Sequence, residues 1–110
     1  MARVLTGRQA IITGANQGLG LEIARKFVLA GADLMLCARN ADMLEAARGE
    51  LVNMASSDQK IVIQSADVSS ESDVRSVVEQ TLKVLGGCQI LVNNAGVYGP
   101  KGEIDFVDWA

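Results

Sequence analysis

Thr13-Gly14-Ala15-Asn16-Gln17-Gly18-Leu19-Gly20 follows the apolar run Ala10-Ile11-Ile12 and leads into an amphipathic helical pattern, and this context makes the glycines informative. A phosphate-binding turn must let main-chain N–H groups approach an anion. The helix that follows adds its own orphan donors and the positive end of its dipole. Glycine permits that approach because it has no Cβ. The spacing is G-x-x-x-G-x-G, not the G-x-G-x-x-G of the common dinucleotide fingerprint. A P-loop is excluded as well, because Leu21-Glu22 stands where Lys-Ser/Thr would be required.

The flanking sequence alternates between two periods. Gln9 to Thr13 is a short β-branched apolar run that suits a buried parallel strand. From Gly18 the period changes: Leu19, Ile23 and Phe27 recur every four residues, with Ala24 and Val28 beside them, and Gly31 supplies the stop. Leu34 to Ala38 reads as a second buried strand. Asn40 then predicts an N-cap for a helix carrying Met43, Leu44, Ala47 and Leu51. Ser56-Ser57-Asp58 breaks that helix before a third strand, Lys60 to Ala66. Ser69 and Ser70, followed by Glu71 and Asp73, start a third helix. Its apolar face is Val74, Val77, Val78, Thr81, Leu82 and Leu85, and Gly86-Gly87 stops it before a fourth strand, Gln89 to Asn93.

Three consecutive strand–helix–strand units require right-handed crossovers, hence a parallel sheet with helices on both faces. The expected strand order is 3-2-1-4. In that order the first and fourth strands adjoin, so the Gly14 turn and the Asn94 turn meet in one crevice at the switch point where ligands bind.

That second turn carries Leu91-Val92-Asn93-Asn94-Ala95-Gly96. T-G-x-x-x-G-x-G after a first strand, together with N-N-A-G after a fourth, resembles the short-chain dehydrogenase/reductase family, from roughly Gly7 to Trp109. The resemblance implies an α/β, Rossmann-type doubly wound sheet. It implies that residues 1–110 are the amino-terminal, dinucleotide-binding part of one such domain, with about four strands and no second domain. It also assigns roles. Gly14, Gly18, Leu19 and Gly20 would shape the turn that points the helix at the cofactor pyrophosphate, and Asn16 and Gln17 on its crest would contact phosphate and ribose. Asp67 and Val68 would meet the adenine ring through a carboxylate and a backbone amide. One asparagine would knit neighbouring strands, while Asn94 with Ala95 and Gly96 would lie against the cofactor ribose. Without a ligand, the same residues read as a βα turn, two polar loop residues, a turn-initiating aspartate and buried amides that need partners.

Arg39 follows the second strand, where the adenosine ribose of a dinucleotide is expected. A carboxylate there would bind a free 2′-hydroxyl and repel a 2′-phosphate. Cys37, Ala38, Arg39 and Asn40 offer none, whereas the Arg39 guanidinium pairs bidentately with a phosphate. NADP is therefore expected in preference to NAD, the alternative being a surface arginine paired with Asp42 or solvent.

The family's catalysis implies a tyrosine, a lysine four residues later on a helix and a serine. Tyr98 is followed by Gly99-Pro100-Lys101, which has the wrong spacing and defeats a helix. No catalytic residue is assigned, and the expectation is an amino-terminal portion of a longer reductase whose Ser, Tyr and Lys follow Ala110. Ile104, Phe106, Val107 and Trp109 read as the opening of a further helix. The fourth strand is expected to have an open edge, and the chain alone to be inactive and poorly stable.

Bulk properties agree. The chain has 110 residues, 49% hydrophobic and 21% charged, with a net charge of -3, which argues against nucleic acid or an anionic membrane as partner. No stretch approaches the ~18 apolar residues of a membrane span, and a cytoplasmic protein is expected. Cys37 and Cys88 lack metal-site spacing, and the absence of His removes Ser-His or Cys-His chemistry. The expected partner is a small carbonyl or alcohol substrate, with a homo-oligomeric parent. By analogy of shape, 3-oxoacyl-carrier-protein reduction and sugar or ketone reduction are both in range. The rival from another class is a non-catalytic nucleotide-binding or redox-sensing module.

Overall fold

Seven elements alternate along the chain in a computed structural model that describes residues 3–94. They are β1 (Gln9–Thr13), α1 (Gly18–Leu29), β2 (Asp33–Ala38), α2 (Ala41–Met54), β3 (Ile61–Ser65), α3 (Glu71–Leu85) and β4 (Ile90–Val92). Every strand pair is parallel, and the sheet order is β3-β2-β1-β4. β1 and β4 are neighbours, with Ile11 opposite Leu91, as the switch-point reading requires.

Successive side chains of a strand point to opposite faces, and both faces of this sheet are covered. Ala10, Ile12, Leu34 and Leu36 pack with Ala24 and Val28 of α1 and with Leu44 and Leu51 of α2. Ile11, Met35 and Cys37 pack on the other face with Val77 and Leu85 of α3. β2 is the central beam: Leu34, Met35 and Leu36 are fully buried, each stabilising the fold by about 1.5–3 kcal/mol.

The helix ends follow local chemistry. Asn40 Oδ1 accepts the Met43 N–H at 3.0 Å, and Ser70 Oγ accepts the Asp73 N–H at 3.3 Å. Gly86 ends α3 in the left-handed conformation at φ 86°, which costs glycine little. The α1 face differs from the expected stripe. The fully buried line is Gly20, Ala24 and Val28, whereas Leu19 is 66% exposed and Ile23 and Phe27 are half-buried. The cause is contact distance: the start of α1 lies so near the β1 turn that small residues must face the sheet.

α3 also departs from its expected face, since Val78 and Leu82 are exposed. Val78 looks across an apolar cleft of about 190 Å³ toward Leu91 and Cys88. Among the described residues β4 pairs only with β1, so its outer edge is open. Among them, too, no helix is long and apolar enough to cross a membrane.

Candidate nucleotide-binding site

The site is built where β1 and β4 end side by side. Thr13, the last residue of β1, is buried, and its hydroxyl joins the two strand ends. Thr13 Oγ1 accepts the Asn94 N–H at 2.8 Å and lies 3.2 Å from Asn93 Oδ1, to which it donates. Asn94 Nδ2 then reaches the Gly14 carbonyl oxygen at 3.3 Å. Both asparagines therefore share in the junction between strands, and Asn94 fastens directly to the glycine turn. Thr13 opens the T-G-x-x-x-G-x-G motif, but its place in the sequence assigns its hydroxyl no partner. A hydroxyl at the end of an otherwise apolar strand was the available signal.

Gly14 and Gly18 adopt positive φ values of 62° and 58°, the left-handed region that disfavours a Cβ. The N–H groups of Gly14 and Ala15 both point back to the Cys37 carbonyl, at 2.9 and 3.5 Å, which anchors the turn to β2. Gly20 serves a different purpose. A Cβ built there would collide with the Gly14 carbonyl oxygen and stand 2.6 Å from Asn94 Nδ2. The third glycine is thus dictated by close approach of helix, turn and asparagine.

α1 starts unlike its two sister helices. Its N-cap Gln17 makes no side-chain capping bond and its first turn holds no acidic residue. α2 has Asn40 and Asp42 at its start, and α3 has Ser70, Glu71 and Asp73. The first-turn donors and positive dipole end of α1 thus meet neither a capping side chain nor an acid of their own helix, beside the positive-φ turn. Gln17, Gly18 and Leu19 are exposed there; Asn16 is half-buried, with its Nδ2 3.9 Å from Met43 Sδ.

Arg39 leaves the end of β2 exposed, and no ion pair within 4.0 Å engages it among the described residues, so pairing with Asp42 is not seen. Its carbonyl accepts the Ser65 hydroxyl at 3.0 Å, which extends the β2–β3 ladder by one step. Asp67 is half-buried at the end of β3. The Ser69 hydroxyl and then the Ser69 N–H hold its carboxyl below the usual range, and the Arg39 charge adds to this. Val68 packs on the α3 side of the core. Cys37 is buried, and burial pushes its thiol up to about 11, whereas Cys88 is exposed. Ala95, Gly96, Tyr98 and the stretch from Ile104 to Trp109 lie outside the described residues.

A parallel α/β sheet with a glycine-lined, uncapped helix start at its switch point defines a dinucleotide-binding class of fold. Residues 8–110 match the family model described as short chain dehydrogenase, and the chain belongs to that family. It is 35% identical over 99 residues to a glucose 1-dehydrogenase of Gluconobacter oxydans, covering 90% of this chain and 36% of that protein. Its structure matches the L-sorbose reductase of Gluconobacter frateurii complexed with NADPH and L-sorbose. There the TM-score is 0.81 at 34% identity, covering 99% of this chain and 41% of that one. A metagenomic short-chain oxidoreductase in complex with NADP gives a TM-score of 0.77 at 33% identity, covering 96% and 48%. The chain spans less than half the length of each of these relatives.

Proposed function

We propose that residues 1–110 are the amino-terminal, NADP(H)-binding part of a Rossmann-type oxidoreductase domain that interconverts an alcohol and a ketone by hydride transfer. The observation that carries this reading is the start of α1, bare of any capping side chain or acid and bordered by Gly14 and Gly18 at positive φ. The residues present fit a dinucleotide: a Cβ-free close approach, an unneutralised helix amino end, and an exposed cation at the end of β2. Gly14, Asn16, Gln17, Gly18, Leu19 and Gly20 would hold the phosphates. Arg39 would pair with a 2′-phosphate, Asp67 and Val68 would meet the nucleobase, and Asn94 with Ala95 and Gly96 would lie against the cofactor ribose. When bound, the nicotinamide supplies the hydride or accepts it.

NADP is favoured over NAD on two grounds. Arg39 is free of ion pairs among the described residues, and two structural neighbours were solved with NADPH or NADP. For the substrate, the names of the relatives divide between sugars and hydroxysteroids, and a 3-oxoacyl thioester is the ketone to test beside them. The test of the cofactor reading is a fluorescence titration with NADPH and NADH on the protein at its natural length, beside Arg39→Glu. Tighter binding of NADPH, reversed in the variant, is expected. Binding of neither nucleotide would overturn the reading, and an unchanged preference in Arg39→Glu would remove Arg39 from it.

A further inference from the structure

Met43 stands between the two arms of the candidate site. Its N–H donates to Asn40 Oδ1 at 3.0 Å, so its backbone is fixed by the cap that follows Arg39. Its side chain reaches back to the glycine turn, where Asn16 Nδ2 donates to Met43 Sδ at 3.9 Å. Met43 lines a groove of about 190 Å³ between α1 and α2, with Asn16, Leu21, Ala46, Ala47 and Glu50 as the other walls. A small solute reaches it there, because Met43 is 37% exposed. The other described methionines are placed differently. Met35 is fully buried in β2, and Met54 at the end of α2 is half-buried against the core.

From this placement we infer that Met43 is an oxidation site through which a hydroperoxide lowers the affinity of the nucleotide site. The inference rests on the dinucleotide reading above, in which Asn16 contacts cofactor phosphate and ribose. A thioether is a weak acceptor, so the Asn16 amide leaves it at little cost when a cofactor oxygen arrives. Oxidation changes that balance. The Met43 sulfur gives a lone pair to one peroxide oxygen, and the S–O bond forms as the O–O bond breaks. The proton on the transferred oxygen passes to the leaving one, which departs as water when the oxidant is hydrogen peroxide. Sulfur is oxidised by two electrons and the peroxide is reduced by two, leaving a polar sulfoxide. Of the other side chains in the groove, Leu21, Ala46, Ala47 and the Glu50 carboxylate have no hydrogen to donate, so Asn16 is the donor the new oxygen meets. The N–H meant for the cofactor is then held by a full acceptor, and binding has to break that bond first.

The test treats the natural-length protein, Met43→Leu and Asn16→Ala with hydrogen peroxide, then removes the peroxide with catalase. Dithiothreitol returns any reversibly oxidised cysteine to the thiol and leaves the sulfoxide in place. Peptide mass spectrometry reads the oxidation of each methionine, a fluorescence titration reads the NADPH dissociation constant, and the Tm is taken for each sample. Met43 is expected to oxidise ahead of Met54 and Met35. One neutral hydrogen bond withheld from the cofactor corresponds to a dissociation constant raised about 2- to 10-fold, in step with Met43 oxidation and at unchanged Tm. Methionine sulfoxide reductase restores it. Met43→Leu loses the response to peroxide whatever its starting affinity, and Asn16→Ala loses most of it. Met43 left reduced in the folded protein, or oxidised with the dissociation constant unchanged, overturns the inference. So does an equal response in Met43→Leu, a full response in Asn16→Ala, or a weakening that only follows a lowered Tm. In those cases the untreated protein still binds NADPH and the dinucleotide site stands. If the untreated protein binds no NADPH, the functional reading itself falls, and the inference with it.

Discussion

Gly20→Ala is the substitution whose sign separates local propensity from tertiary contact. In an open helix interior, alanine stabilises relative to glycine by about 0.8–1 kcal/mol, because it has less backbone entropy to lose. At position 20 the new methyl would overlap the Gly14 carbonyl oxygen and crowd Asn94 Nδ2 at 2.6 Å. The first of these is backbone, so relief requires α1 to move off the turn. Overpacking of this kind costs about 1–3 kcal/mol. Displacing Asn94 from the Gly14 carbonyl removes a further ~0.5–1.5 kcal/mol. Set against the helical gain, the net expectation is a destabilisation of about 0.5–3.7 kcal/mol. Gly49 in α2 is the internal control, since a Cβ there meets nothing within 4 Å. Gly49→Ala is therefore expected to stabilise by about 0.5–1 kcal/mol. Urea unfolding followed by far-UV circular dichroism, on the natural-length protein, reads both. If Gly20→Ala proves as stable as Gly49→Ala, the close approach of helix, turn and asparagine is not what selects glycine, and the reasoning fails.

Thr13→Val keeps the shape of the strand end but removes the hydroxyl shared by Asn93 and Asn94. It is expected to cost about 1–3 kcal/mol in the same assay, with Thr13→Ser retaining most of the stability; an unchanged midpoint for the valine variant would show the junction to be dispensable. Cys37 predicts both a reactivity and a pH dependence. At pH 8, alkylation mapped by mass spectrometry should label Cys88 in the native protein and Cys37 only after denaturant. Because burial raises the Cys37 pKa to about 11, its contribution to stability is complete below the ordinary thiol value of about 8.5 and is lost as pH rises through about 11. Native labelling of Cys37 at a rate matching Cys88 would contradict its burial.

Much of the architecture is legible in one dimension because it is set by local periodicity and by chirality. Apolar runs ended by glycine or serine predict the strands, period changes predict the helices, and Asn40, Ser70 and Gly86 are read as the caps and stop they turn out to be. Right-handed crossovers then leave the order 3-2-1-4 for the sheet, and with it the meeting of the Gly14 and Asn94 turns. The motif pair likewise identifies the family from the residues alone.

What periodicity cannot supply is the distance between elements far apart in sequence. The stripe Leu19, Ile23 and Phe27 is a sound amphipathic face, yet the sheet takes Gly20, Ala24 and Val28, because the turn carbonyl of Gly14 leaves no room for a larger residue at position 20. Val78 and Leu82 belong to the apolar face of α3 by spacing, and their exposure depends on where that helix lies over the sheet. Thr13 and Ser69 are ordinary polar residues in the chain. They acquire partners once folding sets a hydroxyl against two asparagines at the end of β1 and two serine donors on one carboxylate oxygen at the end of β3. Composition, period and handedness are properties of the sequence by itself. The partners of individual polar atoms arise only when strands distant in the chain are brought within hydrogen-bonding range.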